Sequence, residues 1–147
     1  MQQYSHFFIS HWDLFLGFFV VLAMLIHNLM GARLRGYTEI APLEAVQIMN
    51  HEESVMVDVR EDSEFRDGHI QDAVHIPLGK FAERMGELDT HKGKAIIVGC
   101  RSGHRSARAC GILRKQGFER VYNLRGGIMA WQSANLPISR GGKRKKK

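Results

Sequence analysis

Ala95-Ile96-Ile97-Val98-Gly99-Cys100-Arg101-Ser102-Gly103-His104-Arg105-Ser106 is the stretch that decides the fold of this chain. Apolar residues run straight into a cysteine, and a loop of small and basic residues follows. A short, apolar, β-branched run reads as a buried parallel strand. Ser106 to Gln116 reads as a helix, with Gly117 as its C-terminal stop. Strand, tight loop and helix in that order form the repeating unit of parallel α/β sheets. In such sheets ligands gather beyond the carboxyl ends of the strands. Cys100 falls at that place.

The loop chemistry favours a charged sulfur. Backbone N–H groups of a tight loop converge on a thiol placed before it, and the helix beginning near Ser106 aims its positive end at the same point. Arg101 and Arg105 add cationic charge, which lowers a thiol pKa further. Gly103 lets the backbone curl, and Ser106 is a candidate N-cap. A thiolate gains from this arrangement, and a persulfide anion gains equally.

Working outward, Thr38-Glu39-Ile40 reads as a short strand and Pro42 to Met49 as a helix with Leu43, Val46 and Met49 at helical spacing. Val55 to Val59 is a second buried strand, Ala73 to Ile76 a third that ends at Pro77, and Val121 to Leu124 a last one. Phe81 to Leu88 and Ile128 to Ala134 read as helices. Strands alternating with helices predict an α/β domain on a parallel sheet, with no internal repeat.

The Cys-Arg-Ser-Gly-His-Arg-Ser run resembles the active loop of single-domain rhodaneses, which are sulfurtransferases. The likeness extends over about residues 37 to 138. It takes in Asp58-Val59-Arg60-Glu61 with Glu64-Phe65, then Gly68-His69-Ile70, Ala73 to Pro77, Leu124-Arg125-Gly126-Gly127 and Trp131. It implies a rhodanese-like, three-layer parallel-sheet domain. It also implies covalent catalysis in which the Cys100 thiolate takes the outer sulfur of a small donor, thiosulfate or a persulfide, and yields it to a thiol acceptor. The loop residues Arg101, Ser102, Gly103, His104, Arg105 and Ser106 would then stabilise the anion, with Arg101 and Arg105 binding the donor. Asp58 would hold the loop geometry and Arg60 would support it or meet the donor; a purely structural salt bridge between them is an equal alternative. Together with its N-terminal segment, the chain is similar to membrane-anchored rhodanese-like proteins.

Other readings of the cysteine are weaker. Phosphatases and arsenate reductases cradle a tetrahedral oxyanion in a loop one residue longer between Cys and Arg. A binding or adaptor module is the stronger rival, since some rhodanese-like domains serve as membrane adaptors, but this loop keeps its cysteine. His104 is not needed as a general base where N–H groups already activate the thiol. His69 resembles a structural turn residue, and His75 is expected to pack near the mouth of the site. Cys110 reads as a buried structural thiol. The histidines have no metal-ligand spacing, and no second Gly-rich loop suggests a nucleotide. No cofactor and no metal is expected.

Composition sets the remaining bounds. The 147 residues suffice for one ordinary domain and an appendage, with 44% hydrophobic and 24% charged residues. Two cysteines provide no disulfide framework, which suits a reducing compartment. The net charge of +6 is concentrated in Lys143-Arg144-Lys145-Lys146-Lys147. It therefore says little about a nucleic-acid-binding face, no nucleic-acid partner is expected, and it suits a tail lying on anionic lipid or free in solvent.

Leu14 to Met30 contains no Lys, Arg, Asp or Glu. With its neighbours it is expected to form an uncleaved transmembrane anchor over 14–32, near the about 20 residues a span requires. A cleaved signal peptide would need a basic n-region and a small-residue cleavage site, and neither is present. Arg33 and Arg35 follow the span, so the positive-inside rule places the N-terminus outside and the soluble domain in the cytoplasm of a bacterial-type inner membrane. The expected organisation is an extracytoplasmic segment 1–13, the anchor 14–32, a linker 33–37, the domain 38–138 and a basic tail 139–147. His27 and Asn28 read as interfacial polar groups, and contact with a membrane-protein partner is the alternative.

Overall fold

In this computed structural model residues 12–34 and 36–141 are described, with side chains in the first segment as far as residue 26. The chain divides into two compact units at the Arg35–Gly36 boundary.

The first unit holds helix α1, Trp12–Leu34. Its apolar residues surround the axis without forming a polar face, as the sequence from Leu14 onward dictates. Trp12, Leu16, Phe19, Leu22, Met24 and Ile26 are all exposed. Among the described residues no helix is long and apolar enough to cross a membrane. The side chains described in α1 end at Ile26, short of the about 20 residues that a span needs. Arg35, most of segment 1–13 and the lysine cluster of the tail lie outside the described residues.

In the second unit the elements run β1 (Thr38–Ile40), α2 (Pro42–His51), β2 (Ser54–Asp58), α3 (Asp62–Asp67) and β3 (Val74–His75). Then come a 3-10 turn (Leu78–Lys80), α4 (Phe81–Arg84), a longer 3-10 segment (Met85–His91), β4 (Ala95–Gly99), α5 (His104–Lys115), β5 (Val121–Leu124) and α6 (Gly127–Ser133). The five strands form one parallel sheet in the order β1-β5-β4-β2-β3. Strand β4 is central and completely buried, the environment its unbroken apolar run requires.

Alternation along the strands divides the core in two. Val57, Ile96 and Val98 pack on one face with Phe81, Leu88, Ala109, Cys110 and Leu113. Met56, Ile97, Ile40 and Leu124 pack on the other with Ala45 and Trp131. Helices α4 and α5 thus cover one face, and α2 and α6 the other. Trp131 also donates its indole N–H to the Pro137 carbonyl at 2.9 Å, tying the segment after α6 to that layer.

Three local features depart from the sequence reading. The helix expected over Phe81 to Leu88 is α-helical only to Arg84 and continues as 3-10 turns. Helix α3 has no apolar stripe and buries no residue completely, so periodicity does not announce it. Helix α5 begins at His104, two residues before the expected Ser106, because Gly103 at φ 103° makes the turn from loop to helix.

Candidate active site

Register brings the site residues to one end of the sheet. Asp58, the last residue of β2, lies opposite Gly99 of β4, and Asn123 of β5 lies opposite Val98. The chain leaves β4 at Cys100 and turns within three residues into α5. Gly103 N–H donates to the Cys100 Sγ at 3.1 Å, and the Ser106 Oγ lies 3.4 Å from it. Cys100 retains only 2% exposure. Burial pushes its thiol up. Against that, hydrogen bonding within the loop, the backbone N–H groups of Ser106, Gly103 and Ser102 included, draws it down, and the balance leaves it below the ordinary thiol value.

Ser106 does not cap the helix. It lies inside the first turn, where its Oγ approaches the Gly103 carbonyl oxygen at 3.1 Å and the Asn123 Oδ1 at 2.6 Å. Position N-cap belongs to Gly103, which makes no side-chain cap. Ser102 and His104 stand on the exposed rim with Ser102 Oγ and His104 Nδ1 3.2 Å apart. His104 makes no hydrogen bond to the sulfur.

The two loop arginines do different things. Arg105 forks onto Glu64 of α3, Nη1 to Oε2 at 2.6 Å and Nη2 to Oε1 at 2.8 Å. Glu64 responds strongly: the Arg105 hydrogen bonds overcome its partial burial and hold its pKa at about 2. Arg105 is therefore committed to a carboxylate, and an anionic donor would have to compete for it. Arg101 is exposed and makes no ion pair among the described residues, so it is the cation available at the mouth.

Asp58 and Arg60 are both buried, at 3% and 5% exposure, and bind each other. Arg60 Nη2 meets Asp58 Oδ2 at 2.6 Å and also donates to the Gly68 carbonyl at 2.7 Å. The Arg60 backbone N–H donates to Asp58 Oδ1 at 3.0 Å. The pair ties the end of β2 to the loop after α3, and neither side chain hydrogen-bonds to the cysteine loop. Around it, Phe65 is stacked between His69 and His75 with centroids 3.9 and 4.2 Å away. His75 Nε2 lies 2.8 Å from the Arg60 carbonyl oxygen and His69 Nδ1 2.9 Å from that of Phe65, which gives both histidines packing roles. Cys110 is buried under the sheet, and burial pushes its thiol well up. No cluster of metal-ligating side chains occurs among the described residues.

Sequence reasoning missed three contributors. Glu64 was visible only as part of a motif. Asn123 sits in a strand, where its signal was a polar side chain in an otherwise buried run ending beside the cysteine. Gly127 lies directly against the loop: a Cβ there would collide with the Cys100 carbonyl oxygen and stand 2.6 Å from the Arg101 carbonyl carbon. That closeness lets the first N–H groups of α6 reach the loop, Ile128 N–H to the Cys100 carbonyl at 2.8 Å and Met129 N–H to that of Arg101 at 3.2 Å.

A parallel sheet that buries a cysteine at a strand end, inside a ring of N–H groups, defines a class of thiolate-bearing α/β domain. The particular family follows from comparison: the Rhodanese-like domain model matches residues 41–134, and the chain belongs to that family. A sulfurtransferase of Allochromatium vinosum is 41% identical over 92 residues, covering 63% of this chain and 84% of its own. The thiosulfate sulfurtransferase GlpE of Glaesserella parasuis is 35% identical over 105 residues, 71% of this chain and 95% of its own. Among solved structures, a rhodanese-related protein of Thermoplasma volcanium superposes with a TM-score of 0.63 at 28% identity, covering 70% of this chain and 98% of that one.

Proposed function

We propose that this protein is a membrane-anchored sulfurtransferase that carries sulfane sulfur as a Cys100 persulfide. The observation that carries the reading is the Cys100 Sγ itself, buried at the end of β4 with the Gly103 N–H donating to it at 3.1 Å. That setting stabilises negative charge on whichever sulfur occupies the loop.

In the first half-reaction the Cys100 thiolate attacks the outer sulfur of thiosulfate. The new S–S bond forms as the old one breaks, and sulfite leaves with the electron pair. In the second, an acceptor thiolate or cyanide attacks the outer sulfur of the persulfide, and the Cys100 thiolate departs. Each half restores a single charge on the loop sulfur, so the same N–H groups serve both steps. The narrow opening implied by 2% exposure suits a slender terminal sulfur better than a bulky disulfide. Arg101 would attract the anionic donor, and the name of the Glaesserella relative supports thiosulfate. The loop from Arg101 to Ser106 stabilises the sulfur, with Asp58 and Arg60 in support of the strand end behind it.

The localisation completes the proposal. The apolar helix α1, exposed over most of residues 12–26, supports a single-pass anchor, and the arginines after it in the sequence support a cytoplasmic sulfurtransferase domain on a bacterial-type inner membrane.

Mass spectrometry after thiosulfate treatment tests the chemistry. Cys100 is expected to gain one sulfur atom, and cyanide is expected to remove it. A protein with no adduct under any sulfane donor would instead be a binding or adaptor module.

A further inference from the structure

Three acceptors surround one proton beside the Cys100 sulfur. The Ser106 Oγ lies 3.4 Å from Cys100 Sγ, 3.1 Å from the Gly103 carbonyl oxygen and 2.6 Å from Asn123 Oδ1. A hydroxyl donates a single hydrogen. Ser106 therefore serves one of the three at a time, and the geometry decides which.

Asn123 makes the decision. Its Nδ2 donates to the Gly103 carbonyl at 3.2 Å. Turning the amide over would press Oδ1 against that carbonyl oxygen, so the Nδ2 contact fixes the side chain with Oδ1 toward Ser106. The resulting O···O distance is at the short end for a hydroxyl hydrogen bond. The Gly103 carbonyl is already supplied by Asn123 and by the Ala107 N–H at 3.1 Å. Ser106 and Asn123 are 0% and 2% exposed, so bulk water does not replace a lost partner.

With its proton on Asn123, Ser106 turns a lone pair toward the sulfur. A neutral thiol can donate to that lone pair, and a thiolate or persulfide anion cannot. For Ser106 to donate to charged sulfur, the proton must leave Asn123, and two oxygen lone pairs would then face each other across 2.6 Å. The loop N–H groups face the sulfur in either case.

We propose that Asn123 is a positioning residue that holds the Ser106 proton away from Cys100, leaving the backbone N–H groups to carry the sulfur's charge. The benefit is reactivity. A thiolate stabilised by an additional donor is more acidic and less nucleophilic, and its persulfide would discharge more slowly. The inference rests on Cys100 as the reacting thiol, but its test requires no sulfur transfer.

The test is the pH dependence of Cys100 alkylation by iodoacetamide, read on the Cys100 peptide by mass spectrometry so that Cys110 is counted separately. Ser106→Ala alone is expected to leave the midpoint within about 0.3 unit, since the sulfur loses no donor. Asn123→Leu is expected to lower it by about one unit, the size of one hydrogen bond to a charged group, as the released hydroxyl turns to the sulfur. Adding Ser106→Ala to Asn123→Leu is expected to abolish that shift. A rise of about one unit in Ser106→Ala alone would mean that the hydroxyl already serves the sulfur, and it would overturn the proposal even where Asn123→Leu does not fold. Equal shifts for Asn123→Leu with and without Ser106 would also overturn it. Absence of any persulfide would defeat the sulfurtransferase reading and leave this titration intact.

Discussion

Asp58 and Arg60 illustrate what a buried ion pair contributes. Arg60 spends its guanidinium on Asp58 and the Gly68 carbonyl, almost wholly out of solvent. Removing one partner leaves the other charge buried and unsatisfied, which is costly, whereas removing both together is much milder. Arg60→Met is therefore expected to lose about 3–5 kcal/mol in urea unfolding, with the Asp58→Asn, Arg60→Met double variant recovering much of the loss. A loss confined to donor binding, with unfolding unchanged, would show that Arg60 acts on substrate instead. Arg101 has the converse character, exposed and without an ion partner among the described residues. Its charge remains free for a donor, while that of Arg105 is occupied by Glu64.

At the scale of elements, the cysteine loop is held from below by the start of α6. Gly126 and Gly127 have φ of 73° and 57°, and Gly127 lies against the Cys100 carbonyl. A methyl group at 127 would meet the backbone of Cys100 and Arg101, which cannot yield without moving the loop. Gly127→Ala is expected to slow persulfide formation at least about tenfold through loop displacement, because small misplacements of reacting groups carry large rate penalties. Gly111→Ala in α5 is the matched control. A Cβ there meets nothing within 4 Å, and the change is expected to stabilise the helix by up to ~1 kcal/mol with the rate unchanged. Similar rates for the two variants would refute the clamp. The boundary of α5 follows the same logic: a glycine able to adopt positive φ starts the helix at His104, and Ser106 is thereby drawn into the first turn beside the sulfur.

For the whole molecule, the Glu64–Arg105 bridge joins α3 to α5 and makes stability depend on pH. The Glu64 pKa falls from 4.5 to about 2 on folding. A depressed carboxylate contributes its full stability above the unfolded value and loses it as pH falls toward the folded one. Wild-type protein is therefore expected to exceed Glu64→Gln by roughly 1–3 kcal/mol at pH 7, with the gap narrowing between about pH 4.5 and 2. A gap independent of pH across that window would remove the ion pair as its cause. The anchor is tested at the same scale. The full chain is expected in the membrane fraction and to resist carbonate extraction, and an intact, uncleaved chain in the soluble fraction would defeat the anchor.

The sequence by itself determined the parallel α/β class, the central strand from Ala95 to Val98 and the position of Cys100 beyond its end. These are local properties: an unbroken apolar run has one comfortable environment, and a glycine-containing turn directly after it leaves the thiol at the strand terminus. It also carried the family, through motifs whose order along the chain can be read without coordinates. Tertiary structure alone decided which partner each polar side chain takes. Glu64 is 41 positions from Arg105, and Asn123 is 17 from Ser106. The directions of those hydrogen bonds, and hence which arginine remains free and where one serine proton points, depend on strand register and loop packing. Periodicity cannot encode contacts of that kind, because they exist only once the sheet has placed its strand ends side by side.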